Sequence, residues 1–286
     1  MIKKSASKSL PLATTTILGQ PPSRPLIMGV VNVTPDSFSD GGLYASTSKA
    51  VQHAKRLIDD GVDILDIGGE STRPGSESIN EAEELNRVIP VIQALSDTNV
   101  AVSIDTSKPE VMRQAIKAGA TMVNDVNALR APGAIEAVKE ECHVLICLMH
   151  MQGEPRRMQK NPQYTDVVTE VMDFLRQRLN IMQAAGITKD RLIIDPGFGF
   201  GKTLEHNLKL LRYLDRFLCL DVPVLVGISR KSMLGTITGN TVDHRLHESI
   251  AAAMLAVING AKIIRVHDVK ATKDALAVCV AVNDVV

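Results

Sequence analysis

From residue 26 onward, the chain alternates short β-branched apolar runs with longer segments whose apolar residues have helical spacing. The alternation occurs eight times, and it favours parallel strands joined by helices. Eight such units close most simply into a single (β/α)8 barrel of the TIM type. The predicted strands are residues 26–32, 62–67, 100–104, 121–124, 143–149, 191–194, 223–227 and 262–266.

The segments between these strands contain local helix signals. Ser78-x-x-Glu81 and Ser107-x-x-Glu110 have the pattern of helix capping boxes, and each predicts a helix start. Pro90 lies within the segment that follows the first box, where a proline predicts a kink or a division of the helix. Further helices are predicted at residues 131–140, 164–185, 204–218, 245–259 and 269–283.

The main alternative fold is an open, doubly wound sheet. Pro35, Asp36 and Ser37 follow the first predicted strand in place of the G-x-G-x-x-G loop of a dinucleotide-binding fold, which favours the barrel. Neither a linker nor a second core pattern interrupts residues 21–286, so they are predicted to form one barrel domain. Residues 1–20 lack the apolar core of a signal peptide, and we predict an N-terminal extension that is disordered or covers the barrel bottom.

Composition narrows the ligands and the cellular location. Lysine plus arginine equals aspartate plus glutamate at 32 each, so no overall charge favours nucleic acid or an anionic membrane. The most apolar stretch, residues 250–266, is interrupted by Asn259, Gly260 and Lys262, which predicts a helix and a strand rather than a membrane span. The cysteines show no C-x-x-C spacing and are predicted to be reduced core residues, which indicates the cytoplasm. They are Cys142, Cys147, Cys219 and Cys279.

In a barrel of this type, functional groups lie at the carboxyl ends of the strands. All eight predicted strands end in polar residues or run directly into them. One carboxylate at a strand end is most often a helix cap, but eight polar ends are more than capping requires. The polar residues at these ends include Asn32, Asp36, Asp66, Arg73, Asp105, Asn124, His150, Asp195, Lys231, Arg265 and His267.

The segment D-P-G-F-G-F-G-K, residues 195–202, follows the sixth predicted strand. Its three glycines allow a left-handed backbone and a close approach to a ligand, and Phe198 and Phe200 supply flat apolar surface. The alternative is a plain turn in which Asp195 caps the next helix. Because polar loops follow the other strands as well, we interpret this segment as one wall of a shared site.

The residue types at the strand ends narrow the chemistry. Asp105, Asn124 and Asp195 would point inward from three strands, and such acceptors suit the cyclic guanidine edge of a flat nitrogen heterocycle. Cationic donors on other strands suit phosphate groups, and Asn32 offers a hard oxygen to Mg2+. These residues therefore favour a nitrogen heterocycle that carries a diphosphate. The cationic donors are Arg73, Lys231, Arg265 and His267.

Other candidate residues give weaker signals. His244 and His247 form H-x-x-H without a third ligand, so an exposed helix face is the better interpretation. Ser229 lacks the G-x-S-x-G context of a hydrolase nucleophile. For Met149 and Met151 the sequence allows two interpretations: they are core residues, or they form a wall of the site.

Eight motifs occur in one fixed order along the chain. They are M-G-V-V-N-V-T-P-D-S-F-S-D-G-G at 28–42, D-I-G-G-E-S-T-R-P-G at 66–75, S-I-D-T-S-K-P-E at 103–110, N-D-V at 124–126, M-H-M-Q-G-x-P at 149–155, D-P-G-F-G-F-G-K at 195–202, S-R-K-S at 229–232 and R-V-H-D-V at 265–269. Together they resemble the dihydropteroate synthase family of pterin-binding TIM barrels. The resemblance runs in register from about residue 26 to 280, with no departure at a motif position.

The resemblance implies a transferase that joins 6-hydroxymethyl-7,8-dihydropterin diphosphate to p-aminobenzoate, giving 7,8-dihydropteroate and diphosphate in folate synthesis. It also implies Mg2+ as the cofactor, small-molecule substrates and a homodimer. Two alternatives are a pterin-dependent methyltransferase domain, which would need a corrinoid partner, and an inactive pterin-binding paralogue.

The same resemblance assigns residues to subsites. The pterin pocket would contain Asp105, Asn124, Asp195 and Lys231, with Met149, Phe200, Gly227 and Arg265 packing on the ring. Diphosphate and Mg2+ would contact Asn32, Arg73, Arg265 and His267. The p-aminobenzoate would contact Thr72, Pro74, Phe200, Lys231 and Ser232.

Catalytic roles are expected for the groups that face the reacting atoms. Asp36 would stabilise the pterin cation and position or deprotonate the amine. Lys202 is expected to be peripheral, because the motif match places the working lysine at Lys231. The residues with expected catalytic roles are Asp36, Arg73, Lys231, Arg265 and His267.

Overall fold

The computed structural model describes residues 24–33, 42–71, 78–153 and 158–283. Within them, parallel strands form one continuous eight-stranded wall in the order β6-β5-β4-β3-β2-β1-β8-β7. Helices join the strands and pack on the outside of this wall, so the single (β/α)8 barrel is confirmed. The strands are β1 (Leu26–Asn32), β2 (Ile64–Gly68), β3 (Ala101–Asp105), β4 (Met122–Asp125), β5 (Leu145–Met149), β6 (Leu192–Asp195), β7 (Leu225–Val226) and β8 (Ile263–Val266).

The helices follow the predicted order, and α2 continues through Pro90 without division. The predicted helix at residues 204–218 is instead an α-helix that ends at Arg212, followed by a 3₁₀ segment, Leu214–Leu220. The α-helices are α1 (Gly42–Asp59), α2 (Glu81–Leu95), α3 (Pro109–Lys117), α4 (Ala134–Val138), α5 (Val167–Ala184), α6 (Leu204–Arg212), α7 (Ser232–Thr238), α8 (Leu246–Ile258) and α9 (Val269–Asn283).

Both predicted capping boxes are wrong. Helix α2 begins after Asn80, whose side chain accepts the Glu83 N–H at 2.8 Å, so Ser78 does not cap it. Helix α3 begins after Lys108 rather than Ser107, and no side chain caps it. A proline at its first position has no N–H to satisfy, which reduces the need for a cap there.

The barrel closes at two places that differ in strength. Strands β1 and β8 pair over four residues, starting at Leu26 and Ile263. Strands β6 and β7 are joined by one isolated bridge, between Ile194 and Val224. The short β7 therefore leaves the wall thinly bonded on that side.

The barrel interior explains why polar residues collect at one end. Side chains alternate in direction along a strand, so every second residue points inward. Near the amino ends of the strands, the inward-facing side chains form an apolar cluster. In six of the strands, the next inward-facing position, two residues later, holds Asp66 or a residue of the predicted site. The cluster contains Leu26, Met28, Ile64, Met122, Cys147, Ile193, Leu225 and Ile263. The residues two positions later are Asp66, Asn124, Met149, Asp195, Gly227 and Arg265.

The cysteines and the helices bear on two further predictions. No disulfide joins the four cysteines, all of which lie within the described ranges. Cys147 is a core residue as predicted and Cys279 is partly buried, but Cys142 and Cys219 are exposed, so the core prediction is wrong for those two. No helix in the described ranges is long and apolar enough to cross a membrane.

Candidate active site

Four side chains from four strands meet in a hydrogen-bonded network at the carboxyl end of the barrel. Arg265 of β8 donates from Nε to Asp66 Oδ2 at 2.6 Å and from Nη2 to Asp105 Oδ2 at 2.8 Å. Asn124 of β4 donates from Nδ2 to the same Asp66 oxygen at 3.2 Å. The structure therefore brings together Asp105, Asn124 and Arg265, as the sequence predicted.

Burial and mutual repulsion set the charges of this network. Burial, and then the neighbouring Asp66 carboxylate, raise the pKa of Asp105 to about 7, although Arg265 opposes the shift. Burial lowers the pKa of Arg265, but Asp66 and Asp105 outweigh it and raise that pKa overall. Arg265 thus stays charged, while Asp105 changes protonation near neutral pH and can respond to a ligand.

Asp195, at the end of β6, and Lys231, in the loop after β7, shift each other's pKa electrostatically. Asp195 Oδ1 accepts the Gly197 N–H at 2.7 Å, and burial raises the pKa of the carboxyl while Lys231 opposes that shift. Burial lowers the pKa of Lys231 to about 8, against the effect of Asp195. Lys231 Nζ donates to Phe198 O and lies 4.6 Å from the centroid of the Phe200 ring.

The glycines of the D-P-G-F-G-F-G-K loop allow it to pack directly on the loop after β5. Gly197, Gly199 and Gly201 have φ of 71°, 79° and 62°, a region that favours glycine. A Cβ on Gly197 would lie 1.9 Å from His150 O, and one on Gly201 would lie 2.3 Å from Gln152 O. Both the backbone conformation and the close approach therefore require glycine at these two positions.

The two phenylalanines of this loop have different surroundings. Phe198 is fully buried in the core between sheet and helices, so the prediction that it supplies surface to the site is wrong. Phe200 is half-buried and packs against the buried cluster of Met149, Met151 and Met158. These methionines are core residues that also support the Phe200 ring.

Lys202 lies inside the loop and not at its margin. Lys202 is only 3% exposed. Its Nζ lies 2.8 Å from Gly197 O, 3.0 Å from Phe200 O and 3.0 Å from His150 Nδ1. Lys202 thus connects the loops that follow β5 and β6, and its peripheral role in the reaction stays a prediction.

The loops after β7 and β8 are bonded to each other. Ser229 Oγ is hydrogen-bonded to His267 Nδ1 at 3.0 Å and accepts the His267 backbone N–H at 3.2 Å. Arg230 forms two hydrogen bonds to the Asp268 carboxylate, of 3.0 and 2.6 Å. These contacts join the residues that follow β8 to the loop that leads into α7, which also contains Lys231.

The remaining predicted residues divide into two groups. Asn32 is exposed at the end of β1, Ser232 is exposed at the start of α7, and Gly227 leaves room beside the Arg265 side chain. His244 and His247 are exposed, as predicted, and the described ranges contain no group of three metal-ligating side chains. The predictions for Asp36, Thr72, Arg73 and Pro74 lie outside the described residues.

Sequence reasoning gave Asp66 no role, although it was noted at a strand end. Asp66 is fully buried and orients both Arg265 and Asn124. Among the residues that the structure describes, none forms a hydrogen bond to its other oxygen, Oδ1. The period-two pattern would have found it, because Asp66 follows the inward-facing Ile64 by two residues.

Comparison with known proteins places this site in a family. The family model described as pterin binding enzyme matches residues 28–267. Dihydropteroate synthase of Escherichia coli K12 is 50% identical over 257 residues, which cover 90% of this chain and 91% of that protein. Dihydropteroate synthase of Xanthomonas albilineans with 4-aminobenzoic acid has a TM-score of 0.86 and 53% identity, covering 92% of this chain and 94% of that one. The same organism's enzyme in complex with 7,8-dihydropteroate has a TM-score of 0.82 and 48% identity, with the same coverage. The chain therefore belongs to the dihydropteroate synthase family of pterin-binding enzymes.

Proposed function

We propose that the chain is a dihydropteroate synthase. It joins 6-hydroxymethyl-7,8-dihydropterin diphosphate to p-aminobenzoate and releases diphosphate. The observation that carries the proposal is the ring of inward-facing groups at the barrel end, Asp105, Asn124, Asp195, Arg265 and Lys231, in a chain with 50% identity to a member of this family.

The reaction breaks one C–O bond and forms one C–N bond. The amine nitrogen of p-aminobenzoate attacks the exocyclic methylene carbon of the pterin, diphosphate leaves with the electron pair, and the amine loses a proton. The electron-rich dihydropterin ring stabilises positive charge on that methylene, so departure of diphosphate can run ahead of attack. The protein then acts by placing charges that favour the transition state, and it needs no covalent nucleophile.

The network accounts for recognition of the pterin. Asp105 and Asp195 supply acceptors to ring N–H groups, which a pterin carries along its guanidine edge. Arg265, held by two carboxylates, presents a flat guanidinium to the ring face. Lys231 uses one of its three N–H groups on Phe198 O, which leaves two for acceptors on the ring.

The leaving group is assigned to the ends of β1 and β8. His267 and Arg265 supply donors there, and Arg73 adds a cation by resemblance. Asn32 offers one exposed amide oxygen, which fits Mg2+ because that ion keeps water and phosphate oxygens around a few protein ligands. When bound, Mg2+ would neutralise charge on the diphosphate.

The p-aminobenzoate is assigned to the outer side of the Phe200 ring. Phe200 and Lys231 are already in contact there, and Ser232 begins the next helix beside them. Thr72 and Pro74 complete this subsite by resemblance, and Asp36 is assigned to the amine or to the pterin cation.

We also propose a cytoplasmic homodimer that forms through α8 and α9. Leu255, Ile258, Val278 and Val282 are exposed on these helices, each by half or more of its surface. Burial of such side chains in an interface is favourable. Sedimentation velocity should give twice the chain mass, and a monomer at micromolar concentration would refute the dimer.

A direct assay tests the proposed function. Purified protein is supplied with the pterin diphosphate, p-aminobenzoate and Mg2+, and 7,8-dihydropteroate is quantified by chromatography. Product is expected only when both substrates are present. Folded protein that binds the pterin and forms no product would support the inactive paralogue instead, and methyl transfer to a corrinoid would support the methyltransferase.

A further inference from the structure

Lys202 is a buried ammonium group that the proposed reaction does not use. Its Nζ lies within hydrogen-bond distance of His150 Nδ1, His150 O, Gly197 O and Phe200 O, at 3.0, 3.4, 2.8 and 3.0 Å. All four are neutral acceptors, and no carboxylate in the described ranges forms a salt bridge with Lys202. Burying a charge among neutral partners costs free energy, so this position needs a compensating reason.

The reason is that the carbonyl groups of the D-P-G-F-G-F-G-K loop are divided between two lysines. Lys202 occupies the carbonyls of Gly197 and Phe200, while Lys231 occupies the carbonyl of Phe198 between them. The positive φ values of the glycines turn successive peptide groups in different directions, which makes this division possible. Two lysines therefore hold one loop, and each has its own set of acceptors.

We propose that Lys202 is a positioning residue for p-aminobenzoate. By donating to the carbonyls of Gly197 and Phe200, it keeps Lys231 on the Phe198 carbonyl and the Phe200 ring beside the Lys231 ammonium. The inference rests on the proposed function, since it concerns the second substrate of that reaction.

Loss of Lys202 would change the partners of Lys231. Gly197 O would keep the Phe200 N–H at 3.1 Å, whereas Phe200 O, which is partly buried, would lose the Lys202 donor, and an unpaired acceptor in such a position is costly. Lys231 is a flexible cation that already donates to the neighbouring Phe198 carbonyl, so it is the group placed to satisfy Phe200 O. Lys231 would then be drawn toward the loop, and the Phe200 ring would lose its fixed position.

The arrangement holds in both protonation states of Lys202. Burial, the first cause, lowers the pKa of Lys202 to about 7, and burial also lowers the pKa of His150 to about 2. The ammonium form donates to Gly197 O, Phe200 O and the unprotonated His150 Nδ1. The neutral amine still has two N–H groups for the two loop carbonyls.

The test replaces Lys202 with methionine, which has similar length and no donor. Tyr164→Phe is the matched control, because the Tyr164 hydroxyl donates to Gly201 O of the same loop at 2.9 Å and contacts neither Phe200 nor Lys231 through a hydrogen bond. For each variant, the thermal midpoint, the dissociation constant for the pterin diphosphate, KM for p-aminobenzoate and kcat are measured.

Lys202→Met is expected to raise KM for p-aminobenzoate by about tenfold, equivalent to about 1.4 kcal/mol, with the pterin dissociation constant changed by less than about threefold. Tyr164→Phe is expected to keep all kinetic constants within about twofold of wild type, although both variants lower the thermal midpoint. If Lys202→Met does not fold, Lys202→Arg, which retains the cation, should show the same change in KM at smaller size.

A lower thermal midpoint with unchanged KM for p-aminobenzoate in every folded Lys202 variant would overturn the proposal, because Lys202 would then only stabilise the fold. An equal loss of affinity for both substrates would also overturn it. Absence of product from wild type and Tyr164→Phe would refute the proposed function itself.

Discussion

Replacing Asp66 tests whether the buried network, and not only the residues that face the ligand, determines pterin binding. Asp66→Ala removes the acceptor shared by Arg265 Nε and Asn124 Nδ2. Asp66→Asn keeps an oxygen at the same distance but removes the charge. The pair of variants separates the hydrogen bonds from the electrostatic contribution.

The structure sets the expected magnitude. Breaking a buried ion pair from one side costs about 3–5 kcal/mol, but the Arg265 side chain is 23% exposed and retains Asp105 as a partner. We therefore expect Asp66→Ala to lower the free energy of unfolding by about 2–3 kcal/mol and Asp66→Asn by about 1 kcal/mol.

Binding of the pterin should be weakened by as much free energy as the fold is. Arg265 and Asn124 both lose their fixed orientation in Asp66→Ala, so we expect pterin affinity to fall by about 100-fold, or about 2.7 kcal/mol. Isothermal titration calorimetry gives the affinity, and urea denaturation gives the free energy of unfolding.

Asp63→Ala is the matched control at the opposite end of β2. Asp63 binds Arg24 at 2.8 Å and accepts the Ile27 N–H, so its loss should lower stability without changing pterin affinity. The reasoning is refuted if Asp66→Ala binds the pterin as tightly as Asp63→Ala does.

Three further predictions follow from the structure. Gly197→Ala should lower the free energy of unfolding by more than about 3 kcal/mol, because the new Cβ would clash with a backbone oxygen. Gly186→Ala, where φ is 91° and no heavy atom lies within 4 Å of the new Cβ, should lower it by about 1 kcal/mol. Equal losses in urea denaturation would contradict this prediction. Asp105 has a pKa of about 7 and accepts ligand N–H groups when it is ionised, so pterin affinity should rise about tenfold from pH 6 to pH 8. Binding at pH 7 should then release about half a proton. Calorimetry in buffers of different ionisation enthalpy measures this release, and a binding enthalpy that is the same in every buffer would contradict the prediction. Asn80→Ala should lower stability by about 1 kcal/mol and Ser78→Ala by less than about 0.5 kcal/mol, and thermal unfolding that reverses the order would restore the rejected capping box.

The repeated elements were predictable from sequence because the signal for each one is local. Strand β1 was predicted at its observed bounds, and the other strands were found within a few residues. The network at the barrel end was predictable for a related reason. Once Ile193 and Ile263 point inward, the side-chain alternation also points Asp195 and Arg265 inward.

The failures occurred where the outcome depends on residues distant in sequence or on competition between neighbours. Lys202 is held by His150, 52 residues away, and no local pattern signals that contact. Phe198 and Phe200 look equivalent in sequence, yet one is in the core and the other faces the site. At the start of α2, Asn80 rather than Ser78 is the residue adjacent to the first turn.

Because β6 and β7 are paired by a single bridge, the proposed substrate would itself contribute to the structure of the barrel wall. Backbone pairing there is a single bridge, while Asp195 and Lys231 stand on the two sides of the gap. A pterin bound to both would act as a cross-link that completes the wall of the barrel. Amide hydrogens of residues 224–226 should therefore exchange faster than those of β1 in the free protein and slow markedly when the pterin binds. With the pterin bound as proposed, contacts through the ligand would add to the single backbone bridge between β6 and β7.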